Sequence, residues 1–141
     1  MSAAWGQATA VASATWGQAA AVASGAAVGA LARWGFNLGL NPLWSSGFPL
    51  GTLAVNALGG LLIGMSLVWF GRSPNELLRL LLVTGFLGGF TTFSAFSAES
   101  LALLQRGQTL LALAHSAAHL LGALACTALG FALARSLLKA G

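Results

Sequence analysis

Charge is what this sequence has least of. Its 141 residues include six basic and two acidic side chains, Arg33, Arg72, Glu76, Arg79, Glu99, Arg106, Arg135 and Lys139. A soluble domain of this size would carry about a quarter charged residues. The scarcity excludes an ordinary water-soluble globular protein. The two acids are far apart in sequence with no motif around them, which argues against a carboxylate pair for acid–base catalysis. Cys126 is the single cysteine, so no intrachain disulfide forms. It has no conventional base near it in the chain, and the protein is read as having no enzymatic activity. The basic residues are scattered rather than clustered, which excludes a nucleic-acid-binding face. The N-terminus lacks the Lys/Arg region of a secretory signal, so the first apolar run is expected to stay attached.

What is present is apolar surface. Hydrophobic residues make up 57% of the chain and its mean hydropathy is +0.86. Uncharged runs cover 1–32, 34–71, 80–98 and 107–134. Each can hold the helix of about 20 residues that crosses a hydrocarbon core of about 30 Å. The expectation is an all-α integral membrane protein of four transmembrane helices. The chain opens on a near-repeat, "AWGQATAVAS" and "TWGQAAAVAS", whose 11-residue period would put Trp5 and Trp16 on one helix face. Residues 1–16 are read as an N-terminal extension and 17–141 as the four-helix transmembrane domain. The first span is expected over 17–37, the second over 50–70, and the fourth over 109–137. Between the second and third lies "GRSPNELLR", in which Ser73 is expected as N-cap, Pro74 in the first turn and Glu76 as the capping-box acid. Four spans put Arg72, Arg79, Arg135 and Lys139 on one side of the membrane and Arg33 and Arg106 on the other. That Lys/Arg bias is weak, so it is compatible with insertion both ways and an antiparallel dimer, or with one orientation.

Several residues stand out against this background. Asn56 lies inside the second span, where a polar group must find a partner or an aqueous path. It reads either as interhelical glue or as a pore ligand. Gly59, Gly60 and Gly64 form a small-residue packing face. Gly88 and Gly89, each about 1 kcal/mol poorer than Ala in a helix, precede Thr91 and Thr92, so a break in the third helix is expected there. The carbonyls it would free are hard oxygen ligands suited to an alkali cation. Phe93 and Phe96 follow three residues apart, with Ser94 and Ser97 on a neighbouring face. They read as core packing or, through their positive ring edges, as part of an anion path. In the fourth span His115, His119, Ala123 and Thr127 form one stripe. Two histidines at this spacing can hold a metal given a third ligand. The only nearby acid, Glu99, belongs to another span, so a polar track is preferred over a metal site.

The segments "GALARWGF" at 29–36, "GTLAVNALGGLLIG" at 51–64 and "TGFLGGFTTFSAFSAE" at 84–99, with "ALACTALGF" at 123–131, resemble the Fluc, or CrcB-like, fluoride-channel family. The resemblance covers residues 25–138. It implies an antiparallel, dual-topology homodimer that exports cytoplasmic fluoride passively across the plasma (inner) membrane. A structural Na⁺ would sit at the dimer interface on the carbonyls of Gly88 and Thr91. Fluoride would pass Asn56, Phe93, Phe96, Ser94 and Ser97, and a polar track of His115, His119 and Thr127. Arg33 and Glu99 match the family's first-span arginine and motif-closing acid. The chain departs from the family along the track, where imidazoles replace hydroxyls and no tyrosine exists. That departure motivates pH-sensitive conduction through histidine protonation, checked by comparing flux at about pH 8 and about pH 5.5. The alternative is a small multidrug-type proton antiporter, but its first two spans should then carry an acid, and they carry none.

Overall fold

The computed structural model describes residues 2–43 and 48–139, with side chains from residue 15 onward. Helix α1 is Ser2–Leu40 and runs into a short 3₁₀ turn at Asn41–Leu43. At about 1.5 Å per residue α1 is about 58 Å long, nearly twice the thickness of a hydrocarbon core. Within the residues with described side chains, its stretch long and apolar enough to cross a membrane is Thr15–Leu43, which runs past the expected end at residue 37. Trp16 is exposed. The side chain of Trp5 lies outside the described residues.

Helix α2 is Leu50–Arg72. Helix α3 (76–90) begins α-helical at Glu76–Arg79, widens to i→i+5 bonding over Leu80–Leu87, and closes with the turn Gly88–Phe90. Helix α4 is Phe93–Gln105 and α5 is Thr109–Leu137. Gly107, in the turn between them, has φ +72°, a conformation that suits glycine. Four segments are long and apolar enough to cross a membrane: Thr15–Leu43, Leu50–Arg72, Glu76–Gln105 and Thr109–Leu137.

The expected cap of α3 is one correction. The N–H of Ser73 still donates to Trp69 O at 3.0 Å, so Ser73 closes α2. The true N-cap is Asn75, extended at φ −142°, ψ 101°, whose Oδ1 accepts from the Leu78 N–H at 3.0 Å. Glu76 turns to Arg79 at 2.9 Å rather than back to the backbone.

Lipid is as apolar as leucine, so close packing of small residues has to hold such helices together. Two crossings do this. On α1, a Cβ at Gly25 or Gly29 would collide with the backbone of Leu81 or Phe86, and Gly89 of α3 sits equally close to Ala26. On α2, a Cβ at Gly60 would come within 2.7 Å of Ala123 O, and one at Gly64 would collide with Thr127 O. Gly130 of α5 lies in the same way against Leu61. Gly59 faces the Thr91 side chain instead. The outward faces carry exposed leucines such as Leu110, Leu113, Leu121, Leu129 and Leu137. The protein is a multi-pass membrane protein.

Candidate functional site

Between α3 and α4 the backbone leaves the helix for two residues. Thr91 (φ −84°, ψ 158°) and Thr92 (φ −153°, ψ 119°) are extended. In an uninterrupted helix the Thr92 N–H would close a turn onto the Gly88 carbonyl. It donates instead to Asn56 Oδ1 at 2.8 Å, and the Thr92 carbonyl accepts from Asn56 Nδ2 at 3.0 Å. The Ala95 N–H, which would serve the Thr91 carbonyl, donates to Thr92 Oγ1 at 3.2 Å and so caps α4. The carbonyls of Gly88 and Thr91 are thereby deprived of their helical donors. Arg33 reaches the same corner, its Nε donating to Gly89 O at 3.1 Å.

The Thr92 amide group fixes which way round Asn56 sits, since its N–H must meet the Asn56 oxygen. The second proton of Asn56 Nδ2 then points to His119 Nδ1, 3.1 Å away. His119 Nδ1 must accept, which places the proton of neutral His119 on Nε2. Both amide protons of Asn56 are therefore used inside the protein. Asn56 is glue and cleft wall at once.

His119 leads to a second group. Its ring is 4.5 Å from that of His115, and the Phe96 ring lies 4.7 Å from His119 and 5.5 Å from His115. His115 Nδ1 is 2.9 Å from Ser100 Oγ. Its Nε2 faces Glu99 Oε2 at 3.6 Å, while Glu99 Oε1 accepts from the hydroxyl of Thr52, a fully buried residue. Of the four side-chain atoms that are buried without a hydrogen-bond partner among the described residues, three fall in this group, Glu99 Oε2, His115 Nε2 and His119 Nε2; the fourth is Asn37 Oδ1. Glu99, though on another span, packs against the histidine stripe because α4 lies along α5.

A cleft of about 700 Å³ runs beside this cluster, with Asn56, Gly88, Thr91, Phe93, Phe96, His119 and Thr127 on its wall. The Phe93 and Phe96 rings meet edge-on at 5.3 Å, and Phe93 is 78% exposed. Other candidate residues lie off the wall. Ser94 pairs with Thr92 Oγ1 at 3.2 Å, and the Ser97 hydroxyl donates back to Phe93 O at 2.9 Å. Thr127 is on the wall, but its hydroxyl donates to Ala123 O at 2.9 Å. His115, Glu99 and Arg33 stand behind it. Sequence reasoning missed Thr52 and Ser100. Thr52 was within reach of inspection, since it lies four residues before Asn56 and so shares its helix face.

The second, third and fourth membrane-crossing segments wall the cleft with amide, hydroxyl, imidazole and phenyl groups, an arrangement that fits a small membrane transport protein. The chain belongs to the family described as CrcB-like protein, Camphor Resistance (CrcB), which matches residues 20–131. Similar proteins carry the name fluoride-specific ion channel FluC. One from Aromatoleum aromaticum is 52% identical over 110 residues, covering 77% of this chain and 83% of the relative. Another from Bordetella petrii is 53% identical over 115 residues, 80% and 88% of the two chains. A third, from Thiobacillus denitrificans, is 50% identical over 109 residues, 76% and 87%. These relatives are named as ion channels, in keeping with the reading that the chain is not an enzyme.

Proposed function

We propose that this chain is a fluoride-selective channel that lets cytoplasmic fluoride leave passively across the plasma (inner) membrane. The observation that carries the reading is the cleft wall, on which Asn56 clamps the extended Thr92 backbone while touching His119. The name of the ion comes from relatives about half identical to this chain. Fluoride holds water tightly, so its path must replace that shell with several donors, each weak enough to let go. The Asn56 proton on His119 can be exchanged for the anion. The edges of Phe93 and Phe96 are weak donors by their quadrupole.

The homodimer is part of the proposal. Gly88 is exposed, and its carbonyl has lost its helical donor. A free backbone carbonyl facing lipid is costly enough that it calls for a protein cover. A second, antiparallel copy supplies one, and the exposed Phe93 ring would be buried with it. The same carbonyls fit a structural Na⁺: Gly88 and Thr91 offer neutral oxygens, the donors a hard monovalent cation takes, and a Cβ at Gly88 would meet nothing closer than 3.9 Å. When bound, the ion would neutralise these carbonyl dipoles at the interface. The interruption at Thr91 and Thr92 would then be the break in the third span around which the dimer forms. The proton-antiporter reading draws no support from these relatives.

The test is fluoride efflux from liposomes containing the purified protein, with chloride as control. Fast fluoride release with chloride retained is the expected result. Release of neither ion, or of both alike, would overturn the assignment.

A further inference from the structure

We propose that Glu99, His115 and His119 form an inhibitory binding site for a divalent d-block cation such as Zn²⁺. One ligand atom from each of the three lies within 4.8 Å of the others. His115 is fully buried and His119 is 5% exposed, yet the Nε2 of each, like Glu99 Oε2, is buried without a hydrogen-bond partner among the described residues. Zinc bonds of about 2.0–2.2 Å in a tetrahedron put ligand atoms about 3.3–3.6 Å apart. The 3.6 Å between His115 Nε2 and Glu99 Oε2 already meets that spacing. Two imidazoles with one carboxylate select zinc, nickel or copper over sodium, magnesium or calcium, which prefer all-oxygen sites. The fourth position falls to water. An ion has a way in, because His119 stands on the cleft wall.

The surrounding residues are unequally prepared for it. His115 can donate from Nδ1 to Ser100 Oγ at 2.9 Å, leaving the Nε2 lone pair toward Glu99, which is the support a metal-bound imidazole usually has. Glu99 is held by Thr52 through its other oxygen. His119 is not prepared: its Nδ1 accepts from Asn56, so its Nε2 carries the proton. Coordination moves that proton to Nδ1, where it confronts the Asn56 amide. Metal binding therefore ends the His119–Asn56 hydrogen bond. It also places a fixed charge and its water beside Phe96, which is how it would block conduction. In the metal-free protein one water bridging the three atoms meets the same hydrogen-bonding needs, and the metal displaces it.

Binding is independent of the ion conducted, whereas the block rests on the fluoride-channel reading, and the two are measured separately. Titration of purified wild-type protein with Co²⁺ should give saturable d–d absorption of one four-coordinate site per chain, displaced by Zn²⁺. Glu99→Gln and His115→Gln should each weaken it by at least about tenfold, and Cys126→Ser should leave it unchanged. In liposomes Zn²⁺ should slow wild-type fluoride efflux, EDTA should restore it, and either variant should require about tenfold more Zn²⁺. Absence of the Co²⁺ spectrum in wild type would overturn the site in favour of bridging water. An undiminished spectrum in both variants would place the metal elsewhere and overturn it equally. A Co²⁺ site without Zn²⁺ block would overturn the inhibitory role. Absence of efflux without metal would sink the channel reading, while the Co²⁺ spectrum still decides the site.

Discussion

Asn56 uses both amide protons and its oxygen on neighbours within the chain, so its removal damages structure and path together. Asn56→Ala leaves the N–H and C=O of Thr92 unpaired, and each buried orphan costs about 1–3 kcal/mol. Thermal unfolding in detergent should show a clear loss of stability, and fluoride efflux should fall by more than about tenfold. Wild-type efflux in that variant would reduce Asn56 to packing. Phe93→Ile tests a different contribution. It keeps apolar bulk at an exposed position but removes the aromatic ring that meets Phe96 at 5.3 Å. Efflux should slow severalfold with the protein still folded, as judged by gel filtration and unfolding temperature. At this scale the sequence was informative where a residue type is rare for its setting, as with Asn56 in a hydrophobic span. It was uninformative about Glu99, because the contact with His115 joins residues on two helices and no spacing rule spans the turn between them. Thr52 could be placed on the Asn56 face by spacing but its bond to Glu99 could not, because a threonine in an apolar helix ordinarily satisfies its hydroxyl on its own backbone, as Thr127 does here.

Helices depend on their ends and on the few positions where they touch. Thr92 is the N-cap of α4, its hydroxyl accepting from Ala95 N–H. Thr92→Val should cost about 1 kcal/mol while Thr92→Ser should recover most of it, measured by thermal unfolding. Equal stability of the two variants would deny the cap a role. At the α2–α5 crossing, any side chain at Gly64 runs into the backbone of Thr127 and Phe131. Gly64→Val should destabilise by about 1–3 kcal/mol through overpacking. Gly35→Ala, with nothing within 4 Å of its Cβ, should be neutral or slightly stabilising. Four spans were legible because charges mark their ends. The cap of α3 was misplaced because Ser73, Pro74 and Asn75 all favour helix starts, and the choice depends on how far α2 persists. The i→i+5 stretch at Leu80–Leu87 left no trace in the sequence, since eight almost uniformly apolar residues carry no periodicity to read.

For the whole molecule, the charge distribution is the property that bears on assembly. By span order Arg72, Arg79, Arg135 and Lys139 lie on one side of the membrane and Arg106 on the other, while Arg33 is held inside the first span on Gly89 O. So few loop charges are compatible with insertion both ways or with one orientation. Adding three lysines to the 71–79 loop should commit every copy to one orientation. If the channel is an antiparallel dimer, that variant should fail to protect cells from fluoride. Co-expression with a variant carrying three lysines near Arg106 should restore resistance. Full activity of the single-orientation variant would exclude the antiparallel arrangement.

The clamp between Asn56 and Thr92 also has a consequence for biogenesis. Two extended residues in a bilayer would expose amide groups to hydrocarbon, unless something on another segment receives them. Here that something is a side chain of α2, and α2 precedes α3 and α4 in the order of synthesis. A nascent 76–105 segment that enters lipid before docking would do so most cheaply as one unbroken helix. It would unwind at Thr91 and Thr92 only when α2 is alongside to take up the freed groups. The third span would acquire its final shape from its neighbour, after it has crossed.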